Sequence, residues 1–345
     1  MGTPELAGAS LEALLRAPAL EVVAVVTQPD RPKGRELKRQ PSPVKEIAAR
    51  AGLPVLQPEK AREENFIAEL RRWQPDLIAV AAFGQILPKS VLALPRFGAL
   101  NVHTSLLPKY RGAAPIQWAI LNDEPESGVT IMKMDAGLDT GDILTQRATP
   151  IRTDDNAETL HDRLAQIGAE LLVQTIPDYV AGKIRPRPQQ AELATHAPKI
   201  KKGDGRIDWR LPARAIWSRV RAFTPWPGAF TFLPGVPPSG GAAAEIDLPS
   251  EGGTPNPPQL LKIWQAEVVS RTGPPGEILG ADKTRIVIGC GQDALGVTAL
   301  QREGGRRMSA QEFLAGHALK PGQKLRVKQA LARKRNRKKA RRETE

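Results

Sequence analysis

The chain is poor in the residues that build metal and disulfide sites. It has one cysteine, Cys290, in 345 residues. Its four histidines, His103, His161, His196 and His317, include no pair at the spacing of a local metal site. A disulfide framework and a Cys-rich zinc site are therefore excluded. Long apolar runs are missing too. The longest, over residues 77–87, is broken by Gly84 and Gln85 and is too short to span a bilayer. The first twenty residues lack the basic start and apolar centre of a secretory signal. The expectation is a metal-free protein of the reducing cytoplasm. No G-x-G-x-x-G, no G-x-x-x-x-G-K-[ST] and no G-x-S-x-G occurs where a strand would present it. NAD, ATP and serine-hydrolase chemistry are thus left without a motif.

What is present is ordinary in bulk and uneven in charge. Hydrophobic residues make up 41 % and charged residues 25 %, globular values, and the length suggests two domains. The net charge of +13 sits in three segments. Residues 29–45 hold six basic and two acidic side chains, residues 199–225 eight and two, and residues 326–345 ten and two. The rest of the chain is slightly acidic. Any one basic segment is compatible with a solvated surface. Three on a near-neutral body point to a polyanion touched at several places, and nucleic acid is the expected class.

Through residue 182 the pattern alternates between strands and helices. Strands are expected at 20–27, 54–56, 76–83, 99–103, 129–134 and 142–148. Helices are expected at 44–51, 61–73, 90–94 and 114–122. A long helix follows, capped by Asp155 with Glu158 three residues on, and Leu160, Leu164, Ile167 and Leu171 form its apolar stripe. Continuous apolar strands between helices predict a mostly parallel, Rossmann-like α/β sheet. Residues 183–198 are polar and Pro-rich and read as a linker. From 199 to 325, short strand-like pieces separated by Gly/Pro turns predict a small β barrel or sandwich. Within it, residues 234–258 read as a long loop. Residues 326–345 read as a disordered basic tail.

The chemistry concentrates in two places. Asn101 and His103 lie two apart at a strand end, so both face one side of the sheet. Strand carboxyl ends line the ligand crevice of α/β sheets, and an amide beside an imidazole suits an oxyanion. Asp139 lies in the Gly-flanked loop G-L-D-T-G over residues 137–141. A carboxylate near His103 would stabilise its protonated form and assist proton removal from an attacking amine. By spacing alone, an Asn-x-His at a strand end is more often structural, and an Asp in a Gly-rich loop is usually a plain turn.

These residues resemble a known family. The runs NVHTSLLPKYRGAAPIQWAI and GVTIMKMDAGLDTGDIL are similar to the folate-dependent formyltransferases. GTPELAGASLEALL, VVTQPDRPKGR, PSPVKEIA, FGQILP, RIDW, RAFTPWPGAF and MSAQEFL extend the likeness over most of the chain. The resemblance implies a catalytic trio of Asn101, His103 and Asp139. It implies 10-formyltetrahydrofolate as donor, lying against Phe83, Gly84, Ile86, Leu87 and Pro88, with Ser105, Leu106, Leu107 and Pro108 beside them. The likeness is strongest to members whose acceptor is the α-amino group of methionine on initiator tRNA, which implies an OB-like, tRNA-binding second domain and a monomer. The loop over 30–39 then becomes the insertion that engages the acceptor stem, with Arg31, Lys33, Arg35, Lys38 and Arg39. Its order Glu36-Leu37-Lys38-Arg39 departs from the Gly-Lys-Lys run usual after the arginine. Lys199, Lys201, Lys202 and Arg206 would track phosphates. Trp209, Trp217 and Trp226 lie among arginines and read as core aromatics first and base-stacking groups second.

Two other readings remain. A sugar-nucleotide or glycinamide ribonucleotide acceptor would keep the trio but leave the basic segments unexplained. A non-enzymatic RNA-binding protein would explain the charge but leave the trio unexplained. The resemblance also implies a short apolar strand ahead of Gly2-Thr3-Pro4, where this sequence begins at once with the turn. The expectation is a native polypeptide with roughly five to ten further residues of strand character.

Overall fold

The computed structural model describes residues 1–33, 38–233 and 259–325. The chain divides into two compact units, Met1–Ile200 and Lys201–Glu345. The first unit begins with α1 (Glu5–Arg16), β1 (Val25–Val26), β2 (Arg31–Lys33), β3 (Lys38–Gln40), α2 (Pro43–Arg50) and β4 (Val55–Leu56). It continues with α3 (Glu64–Arg72), β5 (Ile78–Val80), α4 (Lys89–Leu92), β6 (Ala99–His103), β7 (Arg111–Gly112) and α5 (Pro115–Leu121). Then come β8 (Glu126–Lys133), β9 (Ile143–Pro150), α6 (Ala157–Val180) and β10 (His196–Ala197).

The pairing is parallel where the apolar runs predict it: β1 with β4, and β5 with β6. Beyond β6 the sheet turns antiparallel through β8 and β9. This edge is a hairpin of long strands. Its residues 127–132 are all buried, as in a central strand, which is why periodicity alone does not reveal the reversal. Phe66, Leu70, Ile78, Val80, Phe83 and Leu87 pack in one core cluster.

The expected strands at 20–27 and 76–83 form ladder bonds only over Val25–Val26 and Ile78–Val80. The reason lies between them. Gly2 N–H donates to Val26 O at 2.9 Å, and Ala81 N–H donates to Met1 O at 3.0 Å. The Met1 amino group donates to Ala79 O at 2.6 Å. Residues 1–2 thus sit between β1 and β5, and Gly2 bridges Ala81 in parallel. Met1 and Gly2 also line a cavity of about 460 Å³, with Leu11, Val23, Ile78, Val80, Leu172 and Ile176 among its other walls. Burial pushes the Met1 ammonium down to about 5. Among the described residues, Met1 and Gly2 meet β1 at Val26, β5 at Ala79 and the residue just after β5, Ala81.

The cap of α6 falls one residue later than expected. Asn156 Oδ1 accepts the N–H groups of Glu158 and Thr159, and Thr159 Oγ1 accepts Asn156 N–H. Asp155 instead turns inward to Arg163, at 2.6 Å, and to Arg152 N–H, at 2.7 Å. Burial works against its charge, but these donors prevail and lower its carboxyl below the usual range. Both residues carry oxygen acceptors at adjacent positions, so pattern does not separate them. Of the expected apolar stripe, Leu160, Leu164 and Leu171 are buried and Ile167 is half-buried.

The second unit contains α7 (Ala213–Ala222), β11 (Ala229–Leu233), β12 (Gln259–Val269), β13 (Ile278–Ala281), β14 (Ile286–Gly289), β15 (Ala294–Arg302), β16 (Arg307–Ser309) and α8 (Ala310–Gly316). The six strands form one antiparallel sheet in the order β11-β12-β15-β14-β13, with β16 on β15. α7 packs on β12 and β15. Trp209 is buried in this core, and its Nε1–H donates to Thr231 Oγ1 at 3.1 Å. Trp217 is also buried, with Arg214 and Arg221 guanidinium carbons 4.3 and 4.1 Å from its ring centre. Trp226 is different: it is 55 % exposed. The loop over 234–258 and the tail over 326–345 lie outside the described residues. Among the described residues no helix is long and apolar enough to cross a membrane.

Candidate active site

The site forms where β6 ends. Register pairs Asn101 with Met132 and His103 with Thr130, so both polar side chains leave the same face. Both reach the loop between β8 and β9. Asn101 Nδ2 donates to Asp139 Oδ1 at 3.4 Å, and His103 Nδ1 lies 3.7 Å from the same oxygen. His103 is buried, and its Nε2 lies 3.0 Å from the carbonyl oxygen of Tyr110. A carbonyl has only lone pairs, so Nε2 is the donor. The other nitrogen then faces a carboxylate. Both neighbours of the ring are acceptors, an arrangement that an imidazolium satisfies fully.

The second oxygen of Asp139 accepts Gly112 N–H at 2.9 Å. Gly112 sits at φ +122°, and a Cβ there would lie 2.7 Å from Ala197 O, so only glycine brings this N–H into place. Asp139 and Tyr110 are non-glycine residues in the left-handed region, at φ +53° and +62°. Such backbone is costly and clusters at functional sites. The loop is braced locally as well. Thr140 Oγ1 donates to both Asp135 oxygens, at 2.7 and 2.9 Å, and Gly137 N–H donates to Asp135 Oδ1 at 3.0 Å. A Cβ on Gly141 would overlap Lys133 O.

Residues 183–198, expected as a linker, are bonded into this first unit. Ile143 and Arg187 exchange two backbone bonds, at 2.8 and 2.9 Å. Arg111 N–H donates to Thr195 O, and Tyr110 N–H donates to Thr195 Oγ1, both at 2.9 Å. β10 then pairs in parallel with β7. A Pro-rich polar composition suits an extended segment that pairs with exposed edges just as well as it suits a tether. Motif reading passes over Tyr110, Asp135, Thr140 and this segment. The only sequence signal for the three residues is proximity to the glycines at 112, 137 and 141.

The candidate folate residues divide by exposure. Phe83, Leu87 and Leu107 pack in hydrophobic clusters, and Ser105 Oγ donates to Lys109 O at 2.6 Å. Their side chains hold the loops. What the loops offer outward is the Gly84 backbone at φ +80°, the half-buried Leu106 and Pro108, and Ile86, which is 87 % exposed. Leu138, beside Asp139, is 64 % exposed. Large apolar side chains standing in water next to a polar site are ready contacts for a flat apolar ligand. Gln85 fixes the first loop by accepting Ala61 N–H at 2.7 Å.

The candidate tRNA residues lie on separate pieces. β2 and β3 form a hairpin that pairs Arg31 with Gln40 and Lys33 with Lys38. Arg31 and Arg39 are exposed, and Arg35 lies outside the described residues. The base of the hairpin is anchored. Lys45 Nζ donates to Asp30 Oδ2 at 2.6 Å and to Gln57 Oε1 at 2.8 Å, and Gln57 Nε2 donates to Asp30 Oδ1 at 2.8 Å. Lys45 and then Gln57 hold the Asp30 carboxyl below its ordinary range. Lys199 is exposed at the end of the first unit. Lys201 and Lys202 are exposed, and Arg206 is half-buried, at the start of the second. Among the described residues no group of three or more His, Cys, Asp or Glu side chains could hold a metal ion.

The parallel-sheet unit, the converging amide, imidazole and carboxylate, and the separate antiparallel unit define a formyl transferase. The family model described as formyl transferase matches residues 1–176, and the one described as formyl transferase, C-terminal domain matches residues 199–318. The methionyl-tRNA formyltransferase of Citrifermentans bemidjiense is 48 % identical over 322 residues, covering 93 % of this chain and 94 % of that one. That of Geobacter sulfurreducens is 47 % identical over 325 residues, covering 94 % and 95 %. The N-formyltransferase of Helicobacter canadensis, solved with folinic acid and dTDP-3-aminofucose, shares the fold at a TM-score of 0.57 and 20 % identity, over 86 % of this chain and 96 % of that one. The chain belongs to the methionyl-tRNA formyltransferase family.

Proposed function

We propose that the protein transfers the formyl group of 10-formyltetrahydrofolate to the α-amino group of methionyl initiator tRNA, acting as a cytoplasmic monomer. The observation that carries the chemistry is the convergence of Asn101 Nδ2 and His103 Nδ1 on one oxygen of Asp139. A free α-amino group has a pKa near 7.7–8.0, so part of it is neutral and nucleophilic at pH 7. It attacks the formyl carbon. The oxyanion that forms takes hydrogen bonds from Asn101 and from His103 Nδ1–H, which at 3.7 Å is beyond hydrogen-bond distance of Asp139 and can turn to the oxyanion. Asp139 receives the proton leaving the amine. Collapse of the intermediate breaks the bond to the folate nitrogen, which takes up the proton. Product is N-formylmethionyl-tRNA and tetrahydrofolate, with no change of redox state.

The acceptor is supported by the near-full-length identity with the curated relatives and by the basic residues of β2 and β3, with the exposed lysines at 199, 201 and 202. We assign residues 1–182 to the chemistry and residues 199–325 to tRNA. Incubation with 10-formyltetrahydrofolate and either charged initiator or charged elongator tRNA tests the assignment. Formylation of the initiator alone is expected. In Arg35→Ala, initiator formylation falls toward the elongator level while folate binding is kept. Equal losses on both tRNAs would reduce Arg35 to a general phosphate contact, and transfer to a sugar amine instead would overturn the reading.

A further inference from the structure

We propose that Gln189 is a positioning residue, a clamp that sets the backbone of the Asp139 loop for catalysis. The proposal rests on the formyl-transfer reading above and adds a residue from the segment over 183–198, within the first unit. Gln189 uses its whole amide. Its Nε2 donates to Asp139 O at 2.9 Å and to Gly141 O at 2.7 Å. Its Oε1 accepts from Arg111 Nε at 3.1 Å and from Arg111 Nη2 at 2.7 Å. The guanidinium fixes which way the amide points. Arginine has donors only, so the oxygen must face Arg111 and the nitrogen must face the two carbonyls.

The position of this link gives it consequence. Asp139 lies in the left-handed region, a conformation that persists only when its surroundings hold it. Asp135 and Thr140 brace the side-chain edge of the loop, and Gln189 holds two of its carbonyls. Arg111, on the other side of the amide, belongs to the strand whose next residue gives its N–H to Asp139 Oδ2. Tyr110, one residue earlier, gives its carbonyl to His103. One amide therefore ties together the two backbone stretches that place the carboxylate and the imidazole. Arg187 and Thr195 pin the segment on either side of Gln189. Gln189 touches neither reacting atoms nor any side chain of the trio, so its effect is on geometry.

Two variants separate the clamp from a mere strut. Gln189→Met keeps the length and removes every hydrogen bond. Gln189→Glu keeps the contact with Arg111, but it replaces both donors with an anion facing two carbonyls. The clamp predicts that kcat falls by about a hundredfold in Gln189→Met, the scale of an ångström misplacement, and at least as far in Gln189→Glu. KM for tRNA and folate stays unchanged. Hydrogen exchange at the amides of residues 137–141 should accelerate, and the His103 ring titration followed by NMR should shift in both variants. Wild-type turnover with unaltered kcat, exchange and titration in both variants would overturn the clamp and leave the formyl-transfer reading intact. Loss of melting temperature alone would likewise make Gln189 a strut. Should wild type transfer no formyl group, exchange and titration still decide the clamp.

Discussion

Asp139 makes contacts with three parts of the chain at once, through both carboxylate oxygens and its backbone carbonyl. That economy explains why the site is partly legible from sequence. Asn101 and His103 announce themselves by spacing at a strand end, and the glycines around Asp139 mark a forced turn. Gln189 gives no such signal, because a glutamine in a Pro-rich stretch looks the same whether it faces water or two carbonyls. Tryptophans show the same limit. Composition makes Trp209, Trp217 and Trp226 equivalent, yet only Trp226 stands in solvent. Base–aromatic stacking is worth about 1–3 kcal/mol per base. Trp226→Ala should therefore weaken tRNA binding by about 1–3 kcal/mol in a filter-binding titration and leave the melting temperature unchanged. Trp209→Ala should do the reverse, costing about 3–5 kcal/mol of stability, as for other buried large-to-small changes. Unchanged affinity in Trp226→Ala would return it to plain surface.

At the scale of elements, strand runs such as residues 20–27 and 76–83 are evident from their β-branched, apolar composition. Their shortness in the ladder is not. It depends on a neighbour: Met1 and Gly2 lie between β1 and β5. The pH dependence gives this placement a signature. The buried Met1 ammonium is lowered from 8.0 to about 5, so between those values the unfolded chain binds more protons than the folded one. Stability of this polypeptide should fall as pH drops from 8 to 5 in denaturant titrations, and acetylating the Met1 amine should remove that part of the slope. A slope unchanged by acetylation would contradict the placement of Met1.

Across the whole molecule, chemistry and charge are separated. The trio lies on β6 and in the loop over 137–141, while the basic groups lie on β2 and β3, at residues 199–225 and over 326–345. Phosphate neutralisation makes the logarithm of affinity fall linearly with the logarithm of salt, at about 0.9 per phosphate contacted. Deleting residues 326–345 should weaken tRNA binding and flatten that slope. An unchanged slope would exclude the tail from the complex. The same separation means that the site can be disabled without loss of binding. Its most direct test is the single-turnover rate of formyl transfer by Asp139→Ala, with enzyme in excess over charged initiator tRNA, measured beside the tRNA dissociation constant. The account predicts a rate lower by about a hundred- to a thousandfold, the scale of losing an oxyanion-type interaction, with the dissociation constant unchanged. Near-full single-turnover transfer by Asp139→Ala would contradict it.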